Sequence, residues 1–280
     1  MKVLIIGSGL GGPALALALK QHNISCKVFD LRDQTAFEGG FVALAPNALR
    51  ALDRIGMYER ISNQGWNYEE FKFLSSRNLS QIATVLNGSQ KKYGYKALRV
   101  SRGIVRQTLM QAVQEQGIEL HFNSKCVDIR ETDRATVIAT FADGREEEAD
   151  FLIGADGIHS RVRNYIAPEA VPTFSGLMGV GGSLPRAKLP QPGRDMYMPS
   201  MILGKLNSFA FMPSNYAGDR VGFFATVESE DRSREEWNKL QSDKTALYKI
   251  LQSYNDREQW PEVVKAASRD VDMDSISLWP

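Results

Sequence analysis

Gly7-Ser8-Gly9-Leu10-Gly11-Gly12 follows the apolar run Val3-Leu4-Ile5-Ile6 and opens a stretch rich in Ala and Leu. A G-x-G-x-x-G between a strand and a helix suits a pyrophosphate for physical reasons. Gly7 permits the tight turn, Gly9 lets the backbone approach the phosphates, and Gly12 lets the helix pack close to the sheet. The helix N-terminus adds free N–H groups and a positive dipole. Residues 3–6 therefore predict a buried parallel strand, 10–21 a helix and 26–30 a second strand, a βαβ unit. Asp30 ends that second strand, eighteen residues beyond Gly12. A carboxylate there is placed to accept hydrogen bonds from both hydroxyls of an adenosine ribose. It would repel a 2′-phosphate and so favours FAD or NAD over NADP, although Arg32 pulls the other way. The bland alternatives are a glycine-rich turn and a solvated strand-end aspartate.

Beyond this unit, residues 46–55 predict a helix with Leu49, Leu52 and Ile55 on one face and Gly56 at its end. Ser101 is a candidate N-cap for a helix reaching residue 115, closed by Gly117. Strand-like runs follow at 119–122, 127–130, 136–141 and 151–153, and Asp143-Gly144 marks a hairpin turn between two of them. From residue 171 the texture changes. Runs at 196–203, 208–212 and 221–227 predict an antiparallel sheet, and 233–268 is charged and helical in pattern, with Asp243 as one cap.

The composition sets bounds. The chain has 280 residues, 43% of them apolar and 24% charged, with 34 Lys plus Arg against 33 Asp plus Glu. A net charge of +1 gives no broad electrostatic reason to expect nucleic acid or an anionic membrane as partner. Cys26 and Cys126 form no disulfide framework, and His22, His121 and His159 are too scattered for a metal cluster. No metal is expected, and a reducing, cytoplasmic setting is. Lys2 and the run after it superficially suggest a signal peptide, but Gly7, Gly9, Gly11, Gly12 and Pro13 fit a strand, turn and helix better. No run reaches the ~18 apolar residues that span a bilayer.

Three further motifs choose between the dinucleotides. Glu38-Gly39-Gly40-Phe41-Val42-Ala43-Leu44-Ala45-Pro46-Asn47-Ala48-Leu49 resembles the flavin-side loop and helix of the single-component FAD-dependent monooxygenases, the para-hydroxybenzoate hydroxylase-like family. Residues 149–163, with Asp150, Gly154-Ala155-Asp156-Gly157, Ser160 and Arg163, resemble its second fingerprint. Arg102, with Leu109 downstream, is similar to the arginine that opens a family helix and reaches FAD.

The resemblance implies a Rossmann-like α/β FAD-binding domain with a parallel sheet, interleaved with an antiparallel β-sheet substrate domain. The expected division is 1–170 for FAD, with 66–100 contributing to the substrate domain, 171–232 for the substrate sheet, and 233–280 as a helical segment leading back to the FAD domain. Carried over, Gly7, Gly9 and Gly12 hold the pyrophosphate, Asp30 the ribose and Gly40 the flavin loop. Arg102 contacts FAD, Val127 offers its backbone to the adenine, and Asp156 belongs to the second fingerprint. The implied chemistry is NAD(P)H-driven insertion of one oxygen atom from O2 into a small aromatic, polyketide or terpenoid-like substrate, through a flavin C4a-hydroperoxide.

Phe209, Phe211, Met212, Phe223 and Phe224 are candidates for a substrate wall, with ordinary sheet core as the competing reading. Tyr216 and Arg186 are candidates to face a phenol, and no catalytic base is named. The family's third fingerprint, a strand ending in Gly-Asp, has no counterpart after Trp260, so the expectation is a chain that stops short of it. The rival readings are an NAD-dependent dehydrogenase, another FAD dehydrogenase, reductase or halogenase, and a non-catalytic flavoprotein remnant.

Overall fold

The computed structural model describes residues 1–35, 40–191, 193–205, 207–256 and 259–280. Glu38 and Gly39 of the flavin-loop motif lie outside them. The chain forms two compact units, each assembled from separated segments.

The first unit comprises Met1–Val42, Asn47–Ser62 and Ser101–Pro172. Its four-stranded parallel sheet runs in the order Phe151–Gly154, Lys2–Ile6, Ser25–Phe29 and Glu119–His121. The apolar run Val3-Leu4-Ile5-Ile6 is buried along its whole length because both sheet faces are covered. Helix Gly11–Gln21 joins the first two strands and buries Ala16 and Leu17, while helix Arg102–Glu115 buries Val105, Leu109 and Val113. Ser101 caps the latter through Gly103 N, and Gly117 follows it at φ +66°.

A three-stranded antiparallel sheet of Cys126–Glu131, Val137–Phe141 and Glu146–Ala149 shares a core with the parallel sheet through Leu4, Ile6, Phe29, Ile129 and Phe141. Phe29 stacks on Phe141 at 4.5 Å and on His121 at 4.6 Å, which gives that histidine a packing role. The hairpin at Asp143-Gly144 has a partner the sequence reading did not assign. Its second strand is Glu146–Ala149, and Phe151–Gly154 instead pairs in parallel with Lys2–Ile6. Three successive glutamates hid the strand. They sit on a small sheet where Glu146 can meet Arg130, and Glu147 meets both Lys2 and Lys27.

The second unit comprises Ala43–Pro46, Asn63–Val100 and Thr173–Pro280. Its seven-stranded sheet runs Ser277–Trp279, Leu177–Pro185, Arg220–Glu228, Ser208–Pro213, Ser200–Leu203, Glu70–Ser75 and Gln81–Leu86. The sheet is not wholly antiparallel as expected, since Ser200–Leu203 pairs in parallel with Glu70–Ser75. Helices Arg234–Ser242, Lys244–Asp256 and Glu262–Arg269 bury their apolar sides in the same core as one face of it. Ser233 and Glu236 close a capping box on the first of these, and Asp243 caps the second through Ala246 N. Phe209, Phe211 and Phe223 lie in the core beneath the helices, where Phe209 stacks on Phe223 at 5.2 Å and Tyr254 on Trp260 at 5.3 Å. The Tyr254 hydroxyl donates to the Ser208 carbonyl at 2.7 Å.

Among the described residues no helix is long and apolar enough to cross a membrane. Phe209→Ala should destabilise the protein by about 3–5 kcal/mol, since the ring is fully buried among aromatic neighbours. Urea denaturation followed by tryptophan fluorescence would measure the loss.

Candidate functional site

In the first unit the chain turns at Gly7 with φ +111°, a region L side chains avoid. A Cβ on Gly7 would come within 2.2 Å of the Ala155 carbonyl oxygen. One on Gly12 would come within 1.9 Å of the Gly7 carbonyl oxygen. Sterics therefore close both positions to any other residue. Gly9 is different, because a Cβ there meets no described atom within 4 Å. The backbone at Gly9 is open at the start of helix Gly11–Gln21, whose N-cap, Leu10, supplies no side-chain hydrogen bond. No Leu10 side chain therefore caps the first-turn N–H groups at the positive end of that helix.

Asp30 stands at the same strand ends and is only 3% exposed. Its Oδ2 accepts from Ser8 N at 2.7 Å and Ser8 Oγ at 2.8 Å, and its Oδ1 accepts from Arg32 N at 2.8 Å and Arg32 Nε at 3.2 Å. Burial alone would raise its pKa, but the hydrogen bonds from Arg32 and Ser8 outweigh burial and hold the carboxyl below its ordinary value of 3.8.

Arg106, which the sequence reading missed, completes the cluster. Its Nε donates to the Ser8 carbonyl at 2.8 Å and its Nη2 to Ser8 Oγ at 3.1 Å. Burial lowers its pKa, Arg32 acts in the same direction, and Asp30 opposes them. The one available signal was a basic residue within the apolar stripe of Val105, Leu109 and Val113. A cleft of about 550 Å³ opens beside Arg106 and is lined by Gln34, Thr35, Gln107 and Gln111, a size that suits part of a nucleotide.

The other expected residues fall into two groups. Gly40 accepts a hydrogen bond from Arg102 N at 3.0 Å, which joins the flavin-loop motif to the helix start. The Arg102 side chain is exposed. Asp156 acts as a cap: Oδ1 accepts from Ser160 Oγ at 2.6 Å and Oδ2 from Arg161 N at 2.7 Å. The Val127 carbonyl accepts from the Arg161 guanidinium, so Asp156 and Val127 are linked through helix Arg161–Ile166.

In the second unit, strand alternation separates the candidate wall residues. Met212 and Phe224 lie on the sheet face opposite the helices, with Met201 and Phe73 in register beside them. Gly179 and Gly181 make close contacts on that face: a Cβ on Gly179 would stand 2.1 Å from the Phe224 ring, and one on Gly181 2.3 Å from the Phe223 carbonyl oxygen. Trp279 joins Phe224 there at 5.4 Å between ring centroids. Tyr216 is an exposed loop residue, and Arg186 holds a turn by donating to the carbonyls of Arg194 and Met196. Arg99 is half-buried on strand Ala97–Ser101, and burial pushes its pKa down to about 10, with Tyr68 opposing. Among the described residues no group of His, Cys, Asp and Glu could hold a metal.

The sequence profile of the family described as "FAD binding domain" matches residues 1–272. The 6-hydroxynicotinate 3-monooxygenase of Bordetella bronchiseptica is 29% identical over 177 residues, which covers 62% of this chain and 45% of that protein. The hispidin-3-hydroxylase of Neonothopanus nambi is 28% identical over 281 residues, covering 92% of this chain and 65% of that protein. The chain thus spans about half to two thirds of the length of these relatives. Klebsiella pneumoniae HpxO, solved with FAD and uric acid, superposes with a TM-score of 0.80 at 21% identity, covering 100% of this chain and 67% of that one. That likeness supports the fold.

Two substitutions separate structure from binding. Gly12→Ala should cost about 3 kcal/mol through backbone overlap. Gly9→Ala should change stability by about 0.5 kcal/mol or less yet remove dinucleotide retention. Urea unfolding and flavin absorbance after gel filtration would measure both. For Asp30 the depressed pKa gives stability that is present above 3.8 and lost as pH falls through the lower folded value. Asp30→Asn should therefore be less stable than wild type at pH 7, and the gap should close below pH 3.8, as read by denaturation at both pH values.

Proposed function

The chain belongs to the FAD binding domain family, and we propose that it supplies the cofactor-binding and substrate-binding parts of an FAD-dependent monooxygenase. That enzyme inserts one atom of O2 into a small oxygenated aromatic or polyketide-like substrate, with NAD(P)H as reductant. The observation that carries this reading is the open backbone at Gly9 beside an uncapped helix end, a cradle that a side chain would fill. The first unit is then the cofactor-binding part and the second the substrate-binding part. A cytoplasmic setting is part of the same reading.

Bound FAD supplies the oxygen activation, and the chain's residues position it. Gly7 and Gly12 fix the loop, and Gly9 with the helix N-terminus takes the pyrophosphate. Asp30 takes the adenosine ribose once the exposed Arg32 side chain, which bonds Oδ1 at 3.2 Å, swings aside. Ser8 keeps the carboxylate aimed and helps to hold it ionised, and Arg106 anchors Ser8. Gly40 and Arg102 lie toward the flavin, Val127 toward the adenine, and Asp156 shapes the second fingerprint through its cap. The helix-free face of the sheet, with Phe73, Met201, Met212 and Phe224, forms the apolar substrate wall and keeps water out. Relatives named for 6-hydroxynicotinate and hispidin support a planar, oxygenated substrate. A dehydrogenase reading would leave Gly40 and Arg102 without a role.

The purified chain, incubated with excess FAD and passed through gel filtration, should retain stoichiometric flavin by its visible absorbance. It should then oxidise NAD(P)H faster when a substrate phenol is added. A colourless but folded protein would overturn the proposal.

A further inference from the structure

Arg106 is only 7% exposed, yet among the described residues it forms no ion pair. Asp30 attracts it through space but spends its own ion pair on Arg32, and Ser8 stands between the two. A buried guanidinium without an anion is costly to desolvate. Nε and Nη2 each give a hydrogen bond to Ser8, a neutral partner. Nη1 makes none among the described residues, and it is not one of the polar atoms sealed from solvent without a partner. One edge of the guanidinium is therefore committed to Ser8 and the other is open.

A second observation concerns what the open edge meets. Arg106 lines the cleft of about 550 Å³, and no acidic residue lines it. Gln107, Gln111 and Gln114 follow along one face of helix Arg102–Glu115, and Gln34 and Thr35 contribute from the segment after Asp30. The side chains of Gln34 and Gln107 make no hydrogen bond among the described residues, so their amide donors are open. Exposed glutamines alone would read as a solvated helix face. A buried cation among them changes the reading, because one positive charge ringed by neutral donors, with no carboxylate to repel an anion, suits a group with several acceptor oxygens.

We propose that this cleft is a phosphate subsite, in which the open edge of Arg106 takes the anion and the amides of Gln34 and Gln107 take its remaining oxygens. This rests on the reading of the first unit as the cofactor-binding part. Arg106 lies outside the motifs that carry the family resemblance, which give the FAD contact to Arg102, an exposed residue. Ser8 ties Arg106 to the glycine turn, and the cleft lies at its other edge. The phosphate is therefore one of FAD itself or that of a second nucleotide.

The test is calorimetric titration of the full chain with inorganic pyrophosphate, before and after loading with FAD, with flavin retention recorded for each preparation. Wild type should bind pyrophosphate, and Arg106→Met should bind it about tenfold more weakly, the loss expected for one charge-assisted hydrogen bond. Arg106→Lys should keep part of the affinity, because the charge remains and the fork does not. Gln107 is exposed and reads the cleft without disturbing Ser8. Gln107→Glu should weaken binding and Gln107→Lys should strengthen it, with circular dichroism unchanged. Failure of wild type to bind, unchanged affinity in Arg106→Met, or no effect of either Gln107 variant overturns the subsite. Given those dependences, loss of pyrophosphate binding on FAD loading assigns the subsite to the phosphates of FAD, and undiminished binding assigns it to a second nucleotide. Retained flavin without Arg106-dependent binding overturns the subsite and leaves the flavoprotein reading standing. Arg106-dependent binding without retained flavin supports the subsite and counts against that reading alone.

Discussion

Close backbone contact at Gly7 governs the first unit. The carbonyl of Ala155 approaches Gly7 too nearly for a side chain there, and the Gly7 carbonyl approaches Gly12 too nearly for one at the start of helix Gly11–Gln21. The approach is possible because strands Lys2–Ile6 and Phe151–Gly154 are register neighbours, with Ile6 opposite Gly154. The turn after the first strand and the turn after the last are thus packed on each other, and the two fingerprints form one object. Asp30 enters the same object from the end of strand Ser25–Phe29, through Ser8, and Arg106 anchors Ser8 from helix Arg102–Glu115. A buried carboxylate and a buried guanidinium share one serine. Each offsets part of the desolvation cost of the other without direct contact, and Ser8, between Gly7 and Gly9, is hydrogen-bonded from both.

The division of labour within the second unit follows from strand alternation. Odd positions of Ser208–Pro213 and Arg220–Glu228 enter the helix-covered core, and even positions face away from it. Phe223 and Phe224 are adjacent in sequence but serve opposite faces. One ring lies in the helix-covered core, and the other lies against Trp279 on the opposite face.

Local sterics were legible in the sequence and long-range burial was not. The glycine motif, the caps at Ser101 and Asp243, and Gly56 and Gly117 at helix ends could be read directly, because each depends on a few bonded neighbours. Arg106 could not, since its burial is created by Ser8 nearly a hundred residues away. Glu146–Ala149 was hidden by its charges, and Leu177–Pro185 by its glycines, of which Gly179 makes room for the Phe224 ring and Gly181 for the Phe223 backbone. Phe209, Phe211, Met212, Phe223 and Phe224 formed a single group of candidates in the sequence, and only the register could sort core from face.

Strand Lys2–Ile6 begins synthesis with no lateral partner on the side later taken by Phe151–Gly154. At ordinary elongation rates the ribosome needs on the order of ten seconds or more to make the intervening residues. During that time one edge of a mostly apolar strand lacks its partner, and the loop-closure entropy is paid late. Strand Glu70–Ser75 likewise waits for Ser200–Leu203. The interleaved order of segments therefore delays completion of both sheets until the later strands have been made, a topology of the kind in which folding is slowed by late loop closure.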